Sequence, residues 1–394
     1  MEKTRFKFDR MEFAGSLGDL GTLIPLSVAL MVLNGLSVSA VLLMVALFYL
    51  ASGLYFRLPV PVQPLKLVSA IAIAFPAKIT VSIMAAAGIS FGLILLILAA
   101  TGLIDWLARF FTRPIVRGIQ LGLGFILIKK GIVFVLDKSL FIQAAGTVGG
   151  VNEWINLAVG LLAFPAVLLL IANRRFPAAL VVVAAGMVIG IGFGALKGTP
   201  LALGPTPIEL QTPGFNDFMT AFVLLVIPQL PLTIGNAVMG TTDACKSLFG
   251  SGPATTRATN RAFATSMGWI NLAAGAMGAM PMCHGAGGLA AHYRFGARTG
   301  GANLMIGTVF LVLALVFGKL GIALLTAIPN SILGVLLIFA GLELAMLIRD
   351  VQEKNDLFVA CLIAGIGFAT TNMGLAFGVG IVVQLLIRWQ KIEL

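Results

Sequence analysis

The chain has 394 residues, of which 59% are hydrophobic and 10% charged, with a net charge of +11. A soluble domain carries about 25% charged residues, so this composition cannot clothe a water-facing surface and instead suits one solvated by lipid. The apolar runs are continuous rather than alternating, which excludes a β-barrel, and the positive charge is scattered through short loops between them, which excludes nucleic acid as a partner.

Fourteen apolar segments follow in chain order, at about 13–33, 38–56, 61–77, 80–101, 114–134, 152–172, 177–195, 216–237, 262–280, 286–297, 301–318, 322–345, 357–371 and 375–389. They predict an all-α polytopic membrane protein forming a single transport domain over residues 1–394, since a run near 20 residues crosses a hydrocarbon core about 30 Å thick. The basic start, MEKTRFKFDR, reads as a cytoplasmic tail rather than a signal peptide. Alternating sides from there puts 19 of the 26 Lys+Arg residues inside and six outside, with Lys66 within a segment. That bias predicts a multi-pass protein of the cell inner (plasma) membrane with both termini cytoplasmic. The inner set includes Lys3, Arg5, Arg109, Arg174, Arg175 and Lys391.

Two segments are interrupted at their start. The third opens with Leu58-Pro59-Val60-Pro61-Val62-Gln63-Pro64 and the tenth with Pro281-Met282-Cys283-His284-Gly285-Ala286-Gly287-Gly288. Proline lacks an N–H and glycine is a poor helix former, so helix begins only after each entry. Segments 3 and 10 are seven apart, and Pro-x-x-x-Gly entries recur at Pro114–Gly118 and near Pro329–Gly334, two segments after each break. Two inverted seven-segment halves follow, 1–200 and 201–394. Matching broken helices in such halves point to a carrier with a midplane site.

A helix that starts at mid-depth presents unpaired N–H groups and about half a positive charge, so two facing starts make an anion site. Around it, Asp19 and Thr22 lie in segment 1, where a carboxylate is costly in lipid and should face a cavity. Lys66 adds positive charge or snorkels to the surface. Gln229, Thr233 and Asn236 share one face of segment 8, as uncharged donors or as interhelical glue. His284 is a donor, a titrating group or a packed ring, and Cys283 a small apolar filler. Gly285, Ala286, Gly287 and Gly288 allow close approach to backbone, or tight helix packing. Asp105 and Glu343 are assigned no chemistry. The three cysteines, Cys245, Cys283 and Cys361, are too dispersed for disulfides or a metal, and no metal or other cofactor is expected.

Pro59 to Lys66, and Gly278 to Ala290 running on through Tyr293 to Arg298, resemble two signatures of the molybdate transporter family related to the sulfate permeases (SulP); Gly18-Asp19-Leu20-Gly21-Thr22 is also similar to that family. The resemblance implies a seven-plus-seven inverted repeat in which a core moves against a gate. It also implies an oxyanion between helices 3 and 10, with helices 1 and 8 nearby. The substrate-binding set is then Asp19, Thr22, Gln63, Pro64, Lys66, Gln229, Thr233, Asn236, His284, Gly285, Ala286, Gly287 and Gly288. Two departures from the wider sulfate-permease pattern stand out. No cytoplasmic STAS domain is expected after segment 14, and Gly288 replaces an arginine common at the start of helix 10.

The expectation is a secondary carrier for a tetrahedral oxyanion, with molybdate first and sulfate or tungstate next. Its other partner is the lipid bilayer. A proton or cation as coupling ion, and a homodimer, stay open. The rivals are a nucleobase or bicarbonate carrier on the same fold, an anion channel, and an intramembrane enzyme using His284 and Cys283. The enzyme lacks a nearby carboxylate or second histidine at ligand spacing. No Walker-type phosphate loop is present to use ATP.

Overall fold

Inside lipid each backbone N–H and C=O must find its partner within the protein, and a helix does this segment by segment. The computed structural model describes residues 6–107, 112–141, 154–170, 178–197, 199 and 201–389, and nearly all ordered structure in it is helical. Lys3, Arg5, Arg109, Arg174, Arg175 and Lys391 lie outside the described residues, as do 152–153 and 171–172 of segment 6 and 177 of segment 7.

The elements are α1 (Arg10–Ser16), α2 (Leu20–Asn34), α3 (Val38–Phe56), β1 (Gln63–Pro64), α4 (Lys66–Ala74), α5 (Val81–Thr101), α6 (Leu103–Leu107) and α7 (Arg113–Val135). There follow α8 (Trp154–Leu170), α9 (Ala178–Gly192), α10 (Phe215–Phe249), α11 (Asn260–Ala276), β2 (Met282–Cys283) and α12 (Ala286–Arg294). The chain closes with α13 (Gly301–Val316), α14 (Gly318–Thr326), α15 (Asn330–Ala345), α16 (Lys354–Thr370) and α17 (Met373–Arg388).

Fourteen crossings were expected. Among the described residues five helices are long and apolar enough to cross a membrane by themselves, or up to seven if each bent pair is one span. Three more, α8, α9 and α17, are apolar but shorter. Two expected segments are divided. Segment 1 bends by 46° between α1 and α2, at Leu17-Gly18-Asp19. Segment 12 joins two helices, because Pro329 cannot continue one; α14 turns 89° from α13 and α15 starts afresh at Asn330. Segment 8 is longer than expected. In α10, Pro228 and Pro231 lack the N–H groups an α-register needs, and the helix widens to π-form at Phe222–Val226 and Thr233–Gly240.

Three helix pairs carry the packing: α3 on α13, α5 on α11, and α7 on α15. The last pair is glycine-lined. A Cβ on Gly131 would stand 2.4 Å from the Gly334 carbonyl oxygen, and one on Gly334 2.5 Å from that of Gly131. Gly124 and Gly341 repeat the arrangement one heptad away, each within 2.6 Å of the other's carbonyl. With no hydrophobic effect between helices in lipid, such backbone-to-backbone contact is what holds them. Outward-facing Leu161, Leu162, Leu169 and Val188 are exposed and suit the lipid surface.

Gly131→Val and Gly334→Val should each force α7 from α15 and cost about 1–3 kcal/mol, the usual penalty of overpacking. Thermal unfolding in detergent reads this directly, and wild-type stability in either variant would contradict the crossing.

Candidate functional site

The two interrupted entries meet. β1 pairs antiparallel with β2, placing Gln63 opposite Cys283 and Pro64 opposite Met282, and Leu65 N–H donates to the Pro281 carbonyl at 2.9 Å. Each two-residue strand leads into a nine-residue half-helix, α4 or α12. Both half-helices start from an extended residue, Leu65 or Gly285, that supplies no side-chain cap.

Extended backbone buried in a membrane protein needs partners for every polar group. Pro59, Pro61, Pro64 and Pro281 remove four N–H groups from the problem, which leaves carbonyls. Three consecutive carbonyls before β1 are met by side chains from the second half of the chain. His292 Nδ1 lies 2.8 Å from the Pro59 oxygen, Asn303 Nδ2 2.7 Å from that of Val60, and His284 Nδ1 2.9 Å from that of Pro61. A carbonyl only accepts, so each imidazole carries its hydrogen on Nδ1. On the other strand, Asn271 of α11 donates to the Met282 carbonyl at 2.7 Å and accepts from the Met282 N–H at 2.8 Å. One amide thus replaces a neighbouring strand.

His284 is therefore corrected from anion donor to backbone clamp. Its second nitrogen, Nε2, is 2.9 Å from the Ser266 hydroxyl, and the ring is enclosed by Phe48, Phe56 and Phe263. It is fully buried, with no hydrogen-bonding capacity left for an anion. Gln229 and Thr233 are spoken for as well. Gln229 Oε1 accepts the Leu67 N–H of α4 at 2.9 Å, and its Nε2 donates to Thr233 at 3.0 Å. Gln229 thus caps the first half-helix from α10 with Thr233 behind it, and neither lines the cavity described next. Pro64 is held in the strand pair.

The remaining expected residues, Gly285 excepted, share one cavity. A cavity of about 420 Å³ is lined by Asp19, Thr22, Gln63, Lys66, Asn236 and the Ala286-Gly287-Gly288 turn, among others. That is room for a tetrahedral anion together with water, each water taking about 30 Å³. The first N–H groups of α12 have no partner within the helix, and Ala286, Gly287 and Gly288, which carry them, line the cavity. Gly288 is where the chain could not carry a side chain: a Cβ there would stand 2.6 Å from the Asp19 carboxyl carbon and 2.7 Å from Gln63 Nε2. A Cβ on Gly285 would meet Gln63 Oε1 at 2.4 Å, whereas one on Gly287 meets nothing within 4 Å.

Two charged residues also line this cavity that sequence reading left out, Arg117 of α7 and Glu343 of α15. Arg117 is tied on the same side by Asp350, with Nε 2.9 Å from Oδ1, and by Gln120 at 2.8 Å. Helical spacing could not place either opposite Lys66, since that depends on how α7 and α15 pack around α4.

Half-helices that meet at a polar cavity inside an apolar helix bundle define an integral membrane transporter. The transmembrane domain of a cyanobacterium bicarbonate transporter, BicA, matches with TM-score 0.67 at 15% identity, covering 96% of this chain and 98% of that one. The murine anion transporter Slc26a9 in its inward-facing state matches with TM-score 0.69 at 15% identity, over 98% and 69%. The fold is thus that of the SulP/SLC26 transporters. The family model described as "Molybdate transporter of MFS superfamily" matches residues 11–127 and 221–344. Molybdate transporter 2 of Arabidopsis thaliana is 33% identical over 97% of this chain and 88% of its own length. Molybdate transporter 1 of Chlamydomonas reinhardtii is 30% identical over 94% and 90%. The chain belongs to this molybdate transporter family, whose members are transporters rather than enzymes, and it is an anion transporter.

His284→Ala removes the donor to Pro61 and empties a ring-lined site. It should lower stability by about 2–4 kcal/mol. Protein that stays folded should bind anion with a near wild-type Kd. Unfolding and anion titration on one sample separate the two effects, and weakened binding by fully folded protein would return His284 to the site.

Proposed function

We propose that the chain is a secondary active transporter of molybdate, working by alternating access across the plasma membrane with both termini in the cytoplasm. The observation that carries this reading is the meeting of α4 and α12 at the strand pair, with one uncapped helix start and Lys66 on a shared cavity. A tetrahedral oxyanion offers its oxygens to the first N–H groups of α12, to the Lys66 ammonium, and to the Thr22 and Asn236 side chains. Helix starts take anions in this way without a dedicated arginine.

The proposed machinery is a core of α1–α5 and α10–α13 rocking against a gate of α7–α9 and α14–α17, as two inverted repeats, 1–200 and 201–394. The packing supports the repeat. Exchanging each segment for the one seven away turns the α3–α13 pair into α11–α5 and returns the α7–α15 pair to itself. These are the three most extensive helix contacts, and the Gly124–Gly341 and Gly131–Gly334 contacts obey the same exchange. The names of the relatives favour molybdate within the oxyanions.

The test is uptake of labelled molybdate into proteoliposomes, with sulfate, tungstate and uracil as competitors. Saturable accumulation against a gradient, blocked by tungstate, is expected. Competition by uracil and none by tungstate would overturn the assignment, and flux that only equilibrates would make the protein a channel. Gly287→Leu has open space at its Cβ and should fold normally. Its side chain would enter the cavity at the start of α12 and lower uptake at least 100-fold. Wild-type uptake by that variant would remove α12 from the site.

A further inference from the structure

The cavity offers acceptors as well as donors, and this is unusual for a place that must hold an anion. The Asp19 carboxylate accepts from the Gln63 amide, with Nε2 2.8 Å from Oδ1 and 2.9 Å from Oδ2, one N–H shared between the two oxygens. A carboxylate can only accept, so it dictates which end of the amide turns toward it. Nε2 is held at the carboxylate, and Oε1 is left against Gly285, at the entry to α12. Gln63 is 2% exposed, and its Oε1 meets no hydrogen-bond donor among the described residues. A buried acceptor without a donor is costly, about 1–3 kcal/mol, unless a ligand supplies one.

A fully deprotonated oxyanion has only acceptors to show. Set beside the Asp19 carboxylate and the Gln63 oxygen, it would be repelled at this corner of the cavity. The same anion bearing one O–H would satisfy Gln63 Oε1 and carry one negative charge less. We infer that the site takes its oxyanion in the singly protonated form, the ligand O–H donating to Gln63 Oε1 and Asp19 acting as the positioning residue that holds the amide in this sense. The inference rests on the oxyanion-carrier reading above and deepens it: one proton crosses with each anion, bound to the anion itself. It also supplies a basis for selectivity. Hydrogen sulfate is the stronger acid, so at any pH a smaller fraction of sulfate than of molybdate carries the proton, and bare sulfate matches the donors of α12 but not the acceptor.

Other charged and titratable groups surround Asp19. They are Lys66 on α4, Arg117 on α7 and Glu343 on α15, with Tyr49 on α3 and Cys283 on β2 close by. His292 of α12 stacks on Tyr49. No titratable residue occurs in α9, and Lys319 of α14 lies at Gly204, away from this cavity.

The test is the pH dependence of molybdate uptake in proteoliposomes, with sulfate as competitor. For the wild-type protein, KM expressed as total molybdate should rise about ten-fold per pH unit between pH 6 and 8, because the protonated fraction falls by that factor. Sulfate should compete poorly throughout. Asp19→Asn is the second arm. The introduced amide can donate to Gln63 Oε1, which lets the Gln63 amide turn its N–H toward the ligand. The variant should then lose the pH slope and accept sulfate, an inversion that a merely structural role for Asp19 would not produce. A wild-type KM that is flat with pH overturns the inference, whatever the variant does. A flattened slope in Asp19→Asn with unchanged preference against sulfate also overturns it, by placing the proton on Asp19. Absence of molybdate uptake at every pH would instead defeat the oxyanion-carrier reading, so the two failures are distinguishable.

Discussion

Two stretches of chain leave helical geometry in the middle of an apolar bundle, and each is the other's hydrogen-bonding partner. The antiparallel contact of Gln63-Pro64 with Met282-Cys283 is the constraint from which the site follows. Four residues cannot satisfy all the polar groups such a break exposes, and the rest are met from the second half of the chain. His292, Asn303 and His284 take three successive carbonyls, and Asn271 takes both polar groups of Met282. Prolines lower the demand further by having no N–H to satisfy. Both half-helix starts are thereby fixed at one place, as backbone at membrane depth requires.

The electrostatics of the cavity descend from that arrangement. Of the two helix starts, α4 has one N–H engaged by Gln229, so α12 is the more open to a ligand. Gly288 has no room for a side chain because Asp19 and Gln63 fill it. The positive charge an arginine there would bring must come from elsewhere. Lys66 brings it, while Arg117 is already shared with Asp350. A site with so little free cationic charge, and two carboxylates on its wall, sets a high threshold for a bare dianion. Charge inside low dielectric is stabilised only by nearby partners, and it is on the composition of this wall that the proposed choice of anion and of its protonation state rests.

Asp19 and Gln63 also illustrate how one contact can govern several properties. Their pairing ties α2 to β1, orients an amide, and closes the space beside Gly288 and Gly285. Any movement of α2 relative to α12 during transport would disturb all three together.

Much was legible in the residues themselves. Apolar run length and sparse charge require a helical membrane protein, because no other use of such a composition satisfies its backbone. The prolines and glycines of the third and tenth segments mark where helix fails, since that is a local property of φ and of the missing N–H. Asp19, Thr22, Lys66, Asn236 and the 286–288 turn were expected at the site and line one cavity. What the tertiary structure alone decided is the direction of the polar side chains. His284, Gln229 and Thr233 are the residue types an anion site would use, yet their hydrogen bonds go to backbone and to one another. Glu343, assigned no chemistry from the sequence, lines the cavity, and so does Arg117. Period and spacing place a residue on a helix face. Whether that face meets a carbonyl, a carboxylate or open space depends on partners more than 100 residues away, and only packing brings them together.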